Sequence, residues 1–278
     1  MVRLSRSAKL KMPEGPECRV VADAVAKGIG TRFEAAEVIE NVPGVLHRYS
    51  RKPIPNWDLL QQTWTLDKVR TKGKLIIFEI SLVSGQQLWI LSTLGMSGDW
   101  RWNSAGHKHC RVAFIRERGD LSFVDTRCFG TIRVVTPEEG QKLESKIGWD
   151  LLVAPMPQQR WENLQQSRLA AAPIGEALLN QKHFSGIGNI YKCEVLYRLR
   201  INPNTPVKNV PREQWELVNQ ESHKILQQAY HLKGSSIVDF TADGVEGNAQ
   251  SILQVYGKPH CPFGHQVKKL KQGKGSNR

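Results

Sequence analysis

No stretch of the 278 residues stays apolar for the roughly 18 positions that a membrane-spanning helix requires. Residues 1 to 11, MVRLSRSAKLK, also lack the apolar core of a secretory signal; they are basic, contain serine and hold no acid, which leaves an organelle transit peptide open. Cysteine is scarce. Cys18, Cys110, Cys128, Cys193 and Cys261 are odd in number and widely scattered, which argues for reduced thiols and against a disulfide framework. A soluble intracellular protein is expected, and an apolar content of 40% is enough for a real core in one large domain or two ordinary ones.

Acidic residues are missing from both ends. Residues 1–11 hold Arg3, Arg6, Lys9 and Lys11, and residues 258–278 hold Lys258, Lys268, Lys269, Lys271, Lys274 and Arg278, with no Asp or Glu in either. Of the net charge of +13, the residues between keep only +3. A polyanionic partner is one reading and solvated tails the other, so nucleic acid needs support from the middle of the chain.

Residues 16 to 28, PECRVVADAVAKG, read as a short helix with Pro in its first turn, Val21 and Val25 one turn apart, and Gly28 as a stop. From about 30 to 135 the pattern is mostly β. VRTKGKLIIFEI followed by QLWILSTLGMSG reads as one hairpin and HCRVAFIRERGDLSFVD as another, which predicts a sandwich. Residues 136–158 mix Pro, Gly and charge and read as a connector. Beyond them WENLQQSRLAA, PIGEALLNQ, NIYKCEVLYRLR and REQWELVNQESHKILQQAYHL carry apolar residues at helical spacing, as four helices of a second domain. Within it SGIGN permits a tight turn with Asn189 opening the next helix, whose exposed amides suit a single backbone phosphate or serve only as helix punctuation.

Seven motifs then occur in order: MPEGPE (12–17), KGK (72–74), LGMSG (94–98), DTRCFG (125–130), PIGEALLNQK (173–182), GIGNIYKCEVLYRLRINP (186–203) and VYGKPHCPFGH (255–265). Together they resemble the formamidopyrimidine-DNA glycosylase and endonuclease VIII family from Met12 onward. The resemblance implies an α+β multidomain fold: an extension (1–11) absent or removed in the active form, an N-terminal catalytic β-sandwich (12–135), the connector (136–158), a helix-two-turn-helix DNA-binding domain (159–253) and an incomplete zinc-finger module (254–278).

The resemblance also implies roles. Pro13 takes the place of the family's nucleophile, an N-terminal proline freed by removal of the initiator Met, with Glu14 as general acid/base. A free proline nitrogen is a secondary amine that attacks the sugar C1′ and forms an iminium, an electron sink for β- and δ-elimination; within a chain the same nitrogen is an amide. Lys74 matches a lysine on a sandwich strand that contacts phosphate and assists catalysis, with a solvated edge charge as the alternative. Glu17 matches a glutamate near the lesion pocket, or is an ordinary first-turn acid. Met96, Arg127 and Phe129 match the residues that fill the gap left by a flipped nucleotide, against the alternative of strand core for Met96 and Phe129. Asn189 and Arg278 are DNA contacts by the same resemblance, Arg278 lying about where an arginine of the finger hairpin enters the minor groove.

Cys261 and His265 have the spacing of half a zinc site, but no Cys or His follows, so a truncation is expected, with a natural zinc-lacking variant as the alternative. Zinc belongs at most to an untruncated form, and no organic cofactor is needed. One departure stands out: many relatives carry lysine where this chain has Gly175.

The expected activity is excision of oxidised bases from duplex DNA with cleavage at the abasic site, by a monomer acting without a membrane; residues 234–257, GSSIVDFTADGVEGNAQSILQVYG, resemble the purine-directed branch and CPFGH (261–265) the endonuclease VIII side, and 8-oxoguanine and formamidopyrimidine are favoured slightly over oxidised pyrimidines. The competing expectation is a catalytically silent damage-binding protein in which the leader blocks Pro13.

Overall fold

A computed structural model describes residues 13–39, 53–235 and 247–270. The residues ahead of Pro13, Arg278, and positions 236–246 of the segment that bears on substrate choice lie outside them.

The chain opens with α1 (Gly15–Ala26), which has Pro16 in its first turn and a buried face that includes Val21 and Val25. Among the described residues nine strands follow: β1 (Arg32–Phe33), β2 (Ala35–Val38), β3 (Trp64–Lys72), β4 (Leu75–Leu82), β5 (Gln87–Thr93), β6 (Gly98–Trp102), β7 (Cys110–Arg116), β8 (Gly119–Asp125) and β9 (Thr131–Val135). They form a five-stranded sheet, β1-β3-β4-β5-β9, and a four-stranded sheet, β2-β7-β8-β6. The sandwich expectation holds. Phe33, Trp64, Trp100, Phe114 and Phe123 fill the core, with Phe33 stacked on Trp64 at 4.3 Å between centroids. Each such fully buried ring contributes roughly 2–3 kcal/mol of transfer free energy, which makes the sandwich a rigid base for whatever its loops carry.

The first expected strand is corrected. VRTKGKLIIFEI is not one strand but two, because the chain reverses at Gly73 (φ +58°) and Lys72 pairs with Leu75. Glycine at the first central position of a two-residue hairpin allows the left-handed backbone that matches strand twist. Lys74 therefore sits in a turn between strands, not on one.

Residues 136–158 also hold more than a connector. TPEE builds a helix start, with Glu139 N–H donating to Thr136 Oγ1 and Thr136 N–H to the Glu139 carboxylate, and α2 (Pro137–Glu144) follows. Arg70 on β3 clamps it through a bidentate pair with Glu144 (2.6 and 2.9 Å) and a bond to Glu79 (2.6 Å). Then β10 (Trp149–Asp150) pairs in parallel with β11 (Phe184–Ser185). Leu151, Leu152 and Met156 belong to the helical core.

That second core is built on α3 (Gln158–Leu164), the short α4 (Ile174–Ala177), α5 (Asn189–Arg198) and the long α6 (Arg212–His231). Trp161 and Trp215 stack at 4.4 Å, and each indole N–H donates to the other residue's carbonyl, which satisfies both buried donors. All five cysteines are free, as expected.

Candidate active site

Glu14 is 1% exposed and precedes α1, directly after the buried Pro13. Its carboxylate reaches into the helical domain and accepts the N–H groups of Gly188 (2.8 Å), Ile190 (2.7 Å) and Tyr191 (3.4 Å). These are orphan donors at the N-terminus of α5, where the helix field favours a negative charge. The helix opens at Asn189 as expected, behind Gly188 as its N-cap, but the amides expected to be exposed for a phosphate are buried and engaged by Glu14. Asn189 is the first residue of α5, half-buried beside the site.

Burial raises the Glu14 carboxyl to about 7; Lys74 opposes the rise, Glu17 adds to it, and the Ile190 and Tyr191 amides oppose it. The acid is thus poised to hold or release a proton near neutrality. Lys74 converges on the same point: a Cβ on Gly188 would come within 2.5 Å of both Glu14 Oε1 and Lys74 Nζ. A solvated edge charge is the wrong description of this lysine.

Glu17 is fully buried and holds the frame around Glu14. One oxygen accepts the Glu14 N–H (2.9 Å), and the other accepts Tyr191 Oη (2.7 Å), Ser235 N–H (2.8 Å) and Ser235 Oγ (2.9 Å). Gly15 N–H adds a bond to Gly186 O at 2.7 Å. The start of α1 is therefore tied to the start of α5 and to the residue that enters segment 236–246.

The three side chains matched to gap filling come together on two loops. Arg127 Nη1 lies 3.3 Å from Met96 Sδ, its guanidinium sits 5.4 Å from the Phe129 ring centroid, and Phe129 is 52% exposed. Phe129 is not core. The organiser is Asp125, which sequence reasoning missed: buried, it accepts Ser97 Oγ (2.5 Å), Arg127 N–H (3.1 Å) and Gly130 N–H (2.8 Å) and so binds both loops. The register Leu75↔Thr93↔Thr131 sends the Lys74 turn and both loops from one end of the five-stranded sheet.

Two more acids were missed. Glu194 on α5, fully buried, accepts the N–H groups of Gln254 (2.7 Å), Val255 (3.0 Å) and Tyr256 (2.7 Å), which docks the C-terminal segment on the helical domain. Asp150 accepts the N–H of Gly73 in the Lys74 turn. In the C-terminal segment Cys261 Sγ and His265 Nδ1 stand 3.6 Å apart, consistent with two ligands of one ion. Among the described residues no group of three or more His, Cys, Asp or Glu side chains could hold a metal. The residues described do not fit a closed zinc site, which takes four ligands.

Residues 12–132 match the formamidopyrimidine-DNA glycosylase N-terminal domain, and residues 151–241 match the formamidopyrimidine-DNA glycosylase H2TH domain. The formamidopyrimidine-DNA glycosylase of Bdellovibrio bacteriovorus is 32% identical over 92% of this chain and 94% of its own, and that of Mycoplasma genitalium 30% identical over 95% and 93%. Among solved structures, a Lactococcus lactis FPG mutant in complex with a Fapy-dG containing DNA superposes with a TM-score of 0.79 at 28% identity, covering 96% of each chain. MutM in complex with carbocyclic 8-oxo-G containing DNA does so with the same TM-score, identity and coverage. An N-terminal β-sandwich followed by a helix-two-turn-helix domain is the architecture of a formamidopyrimidine-type DNA glycosylase. This chain belongs to the formamidopyrimidine-DNA glycosylase family.

Proposed function

We propose that the protein is a base-excision-repair glycosylase and abasic-site lyase acting on duplex DNA, in a form whose first residue is Pro13. The observation that carries the reading is the convergence of Lys74 and of Glu14, the residue that follows Pro13, on Gly188. In that form the Pro13 amine attacks C1′ of a flipped nucleotide, the C1′–base bond breaks with its electron pair leaving on the base, which takes up a proton as the amine loses one; the C1′–O4′ bond then opens onto a protonated ring oxygen and leaves the iminium. Glu14, with its carboxyl near 7, supplies and accepts protons in these steps. The iminium then acidifies the C2′ hydrogen, and the 3′ and 5′ phosphates leave in turn.

Lys74 stands beside the acid and contacts the adjacent phosphate. Met96, Arg127 and Phe129 fill the vacated stack, Asn189 adds a phosphate contact, and affinity falls steeply with salt. Glu17, through Ser235, ties the start of α1 to the chain that leaves α6. Oxidised purines are the favoured substrates; the resemblance of residues 234–257 to the purine-directed branch supports this. Single-turnover excision from duplexes with 8-oxoguanine, formamidopyrimidine or thymine glycol tests the choice, and faster excision of thymine glycol would reverse it.

The second reading rests on the residues that precede Pro13 in the sequence. While they remain attached the Pro13 nitrogen is an amide and the protein binds damage without excising it. Intact mass of the protein isolated from its own cells separates the two.

A further inference from the structure

Asp150 is 5% exposed, and no step of the proposed chemistry uses it. Its Oδ2 accepts the Gly73 N–H at 2.7 Å across 77 positions of sequence, and its Oδ1 accepts the Leu152 N–H at 3.0 Å. Gly73 is the first central residue of the two-residue hairpin and Lys74 the second. An N–H at that place in such a hairpin has no ladder partner, so without an outside acceptor the turn is held only at its two ends. Asp150 supplies the acceptor.

The same strand pair fixes the other half of the site. Asp150 pairs with Ser185 in the β10–β11 ladder, and Ser185 is three residues before Gly188, whose N–H holds Glu14. The hairpin is pressed onto this ladder so closely that a Cβ on Gly73 would lie 2.5 Å from Ser185 Cβ. Burial holds the Asp150 carboxyl above its ordinary range, with the Gly73 and Leu152 amides working against the rise. A buried carboxylate is costly, and an apolar side chain would serve packing as well, so its place here calls for a positional reason.

We infer that Asp150 is a positioning residue for Lys74: by gripping the turn from the helical side, it places the lysine against Glu14 and makes the junction of the two domains part of the active-site geometry. The inference rests on the role given to Lys74 above.

The test is a double-mutant cycle in the Pro13-first protein, read as the single-turnover rate of strand cleavage at an abasic site per folded molecule, with folding checked by melting. Asp150→Ala is expected to slow the reaction about tenfold or more, the order of loss that displacement of a reacting group by about an ångström brings. Combined with Lys74→Ala it should slow the reaction less than about twofold further, because non-additivity marks residues that act through one another. Asp150→Asn, which keeps the shape, serves where alanine does not fold and should fall on the same side. If Asp150→Ala costs nothing, or costs the same factor in both backgrounds, the inference is overturned while the role of Lys74 stands. If Lys74→Ala alone leaves the rate unchanged, that role fails and the inference falls with it.

Discussion

Replacing Glu14 with Gln in the chain that keeps residues 1–12 isolates the electrostatics of the site from its chemistry. Burial lifts the Glu14 carboxyl from its ordinary 4.5 to about 7. Between these values the folded chain still holds a proton that the unfolded chain has released, so rising pH favours unfolding. The linkage relation makes this a loss of about 2–3 kcal/mol between about pH 5 and about pH 8 from this one group. Gln cannot titrate, so its variant should lack that loss. At acid pH the two proteins should therefore differ least in the wild type's disfavour. At alkaline pH the variant gains, less what it forfeits by setting an amide N–H against one of the Gly188, Ile190 and Tyr191 donors. Urea unfolding of both proteins across this range measures the difference of differences. If wild type and Glu14→Gln show parallel pH dependences, Glu14 does not titrate near neutrality and the poised-acid argument is wrong.

Gly188→Ala should cut strand cleavage by about a hundredfold, because the methyl group enters the space of Glu14 Oε1 and Lys74 Nζ; DNA affinity by gel shift should change little. Asp125→Ala strands the Arg127 and Gly130 N–H groups and should cost about 1–3 kcal/mol in unfolding free energy, and it should blunt discrimination between lesion and normal duplex in competition binding. Arg70→Met breaks partly exposed ion pairs to Glu79 on β4 and Glu144 on α2, away from the site; a stability loss of about 1 kcal/mol or less with unchanged cleavage rate is expected, and a large kinetic defect would show that α2 couples to the site.

The candidate site was legible where its residues are neighbours in sequence. Pro13 and Glu14 stand side by side in the sequence, and the helix after them shows its own start and stop signals. Periodicity also gave away the sandwich strands and the four helices, because one buried face per element leaves a mark every two or every three to four residues. What it hid are bonds between distant backbone and side chain. Nothing at Asn189 announces that the preceding glycine's amide is held by an acid 174 residues earlier. Asp125, Asp150 and Glu194 likewise look like ordinary acids, and only the fold shows that each spends its carboxylate on backbone N–H groups. The Lys74 turn was missed for another reason: KGK is flanked by apolar β-formers on one side and a strand-like run on the other, so pattern alone favours a continuous strand. Gly73 itself, which the structure shows at φ +58°, was the available sign. Thr136 and Glu139 likewise carried a capping box that overrides the Pro and Gly around it.

The most direct measurement of the central claim is borohydride trapping with a duplex carrying an abasic site, followed by digestion and mass spectrometry to find the modified nitrogen. Protein beginning at Pro13 should be trapped as a covalent complex with the adduct on the Pro13 nitrogen, and protein that keeps residues 1–12 should not. Absence of trapping by the Pro13-first protein, or an adduct mapped to a lysine in both forms, would contradict the account.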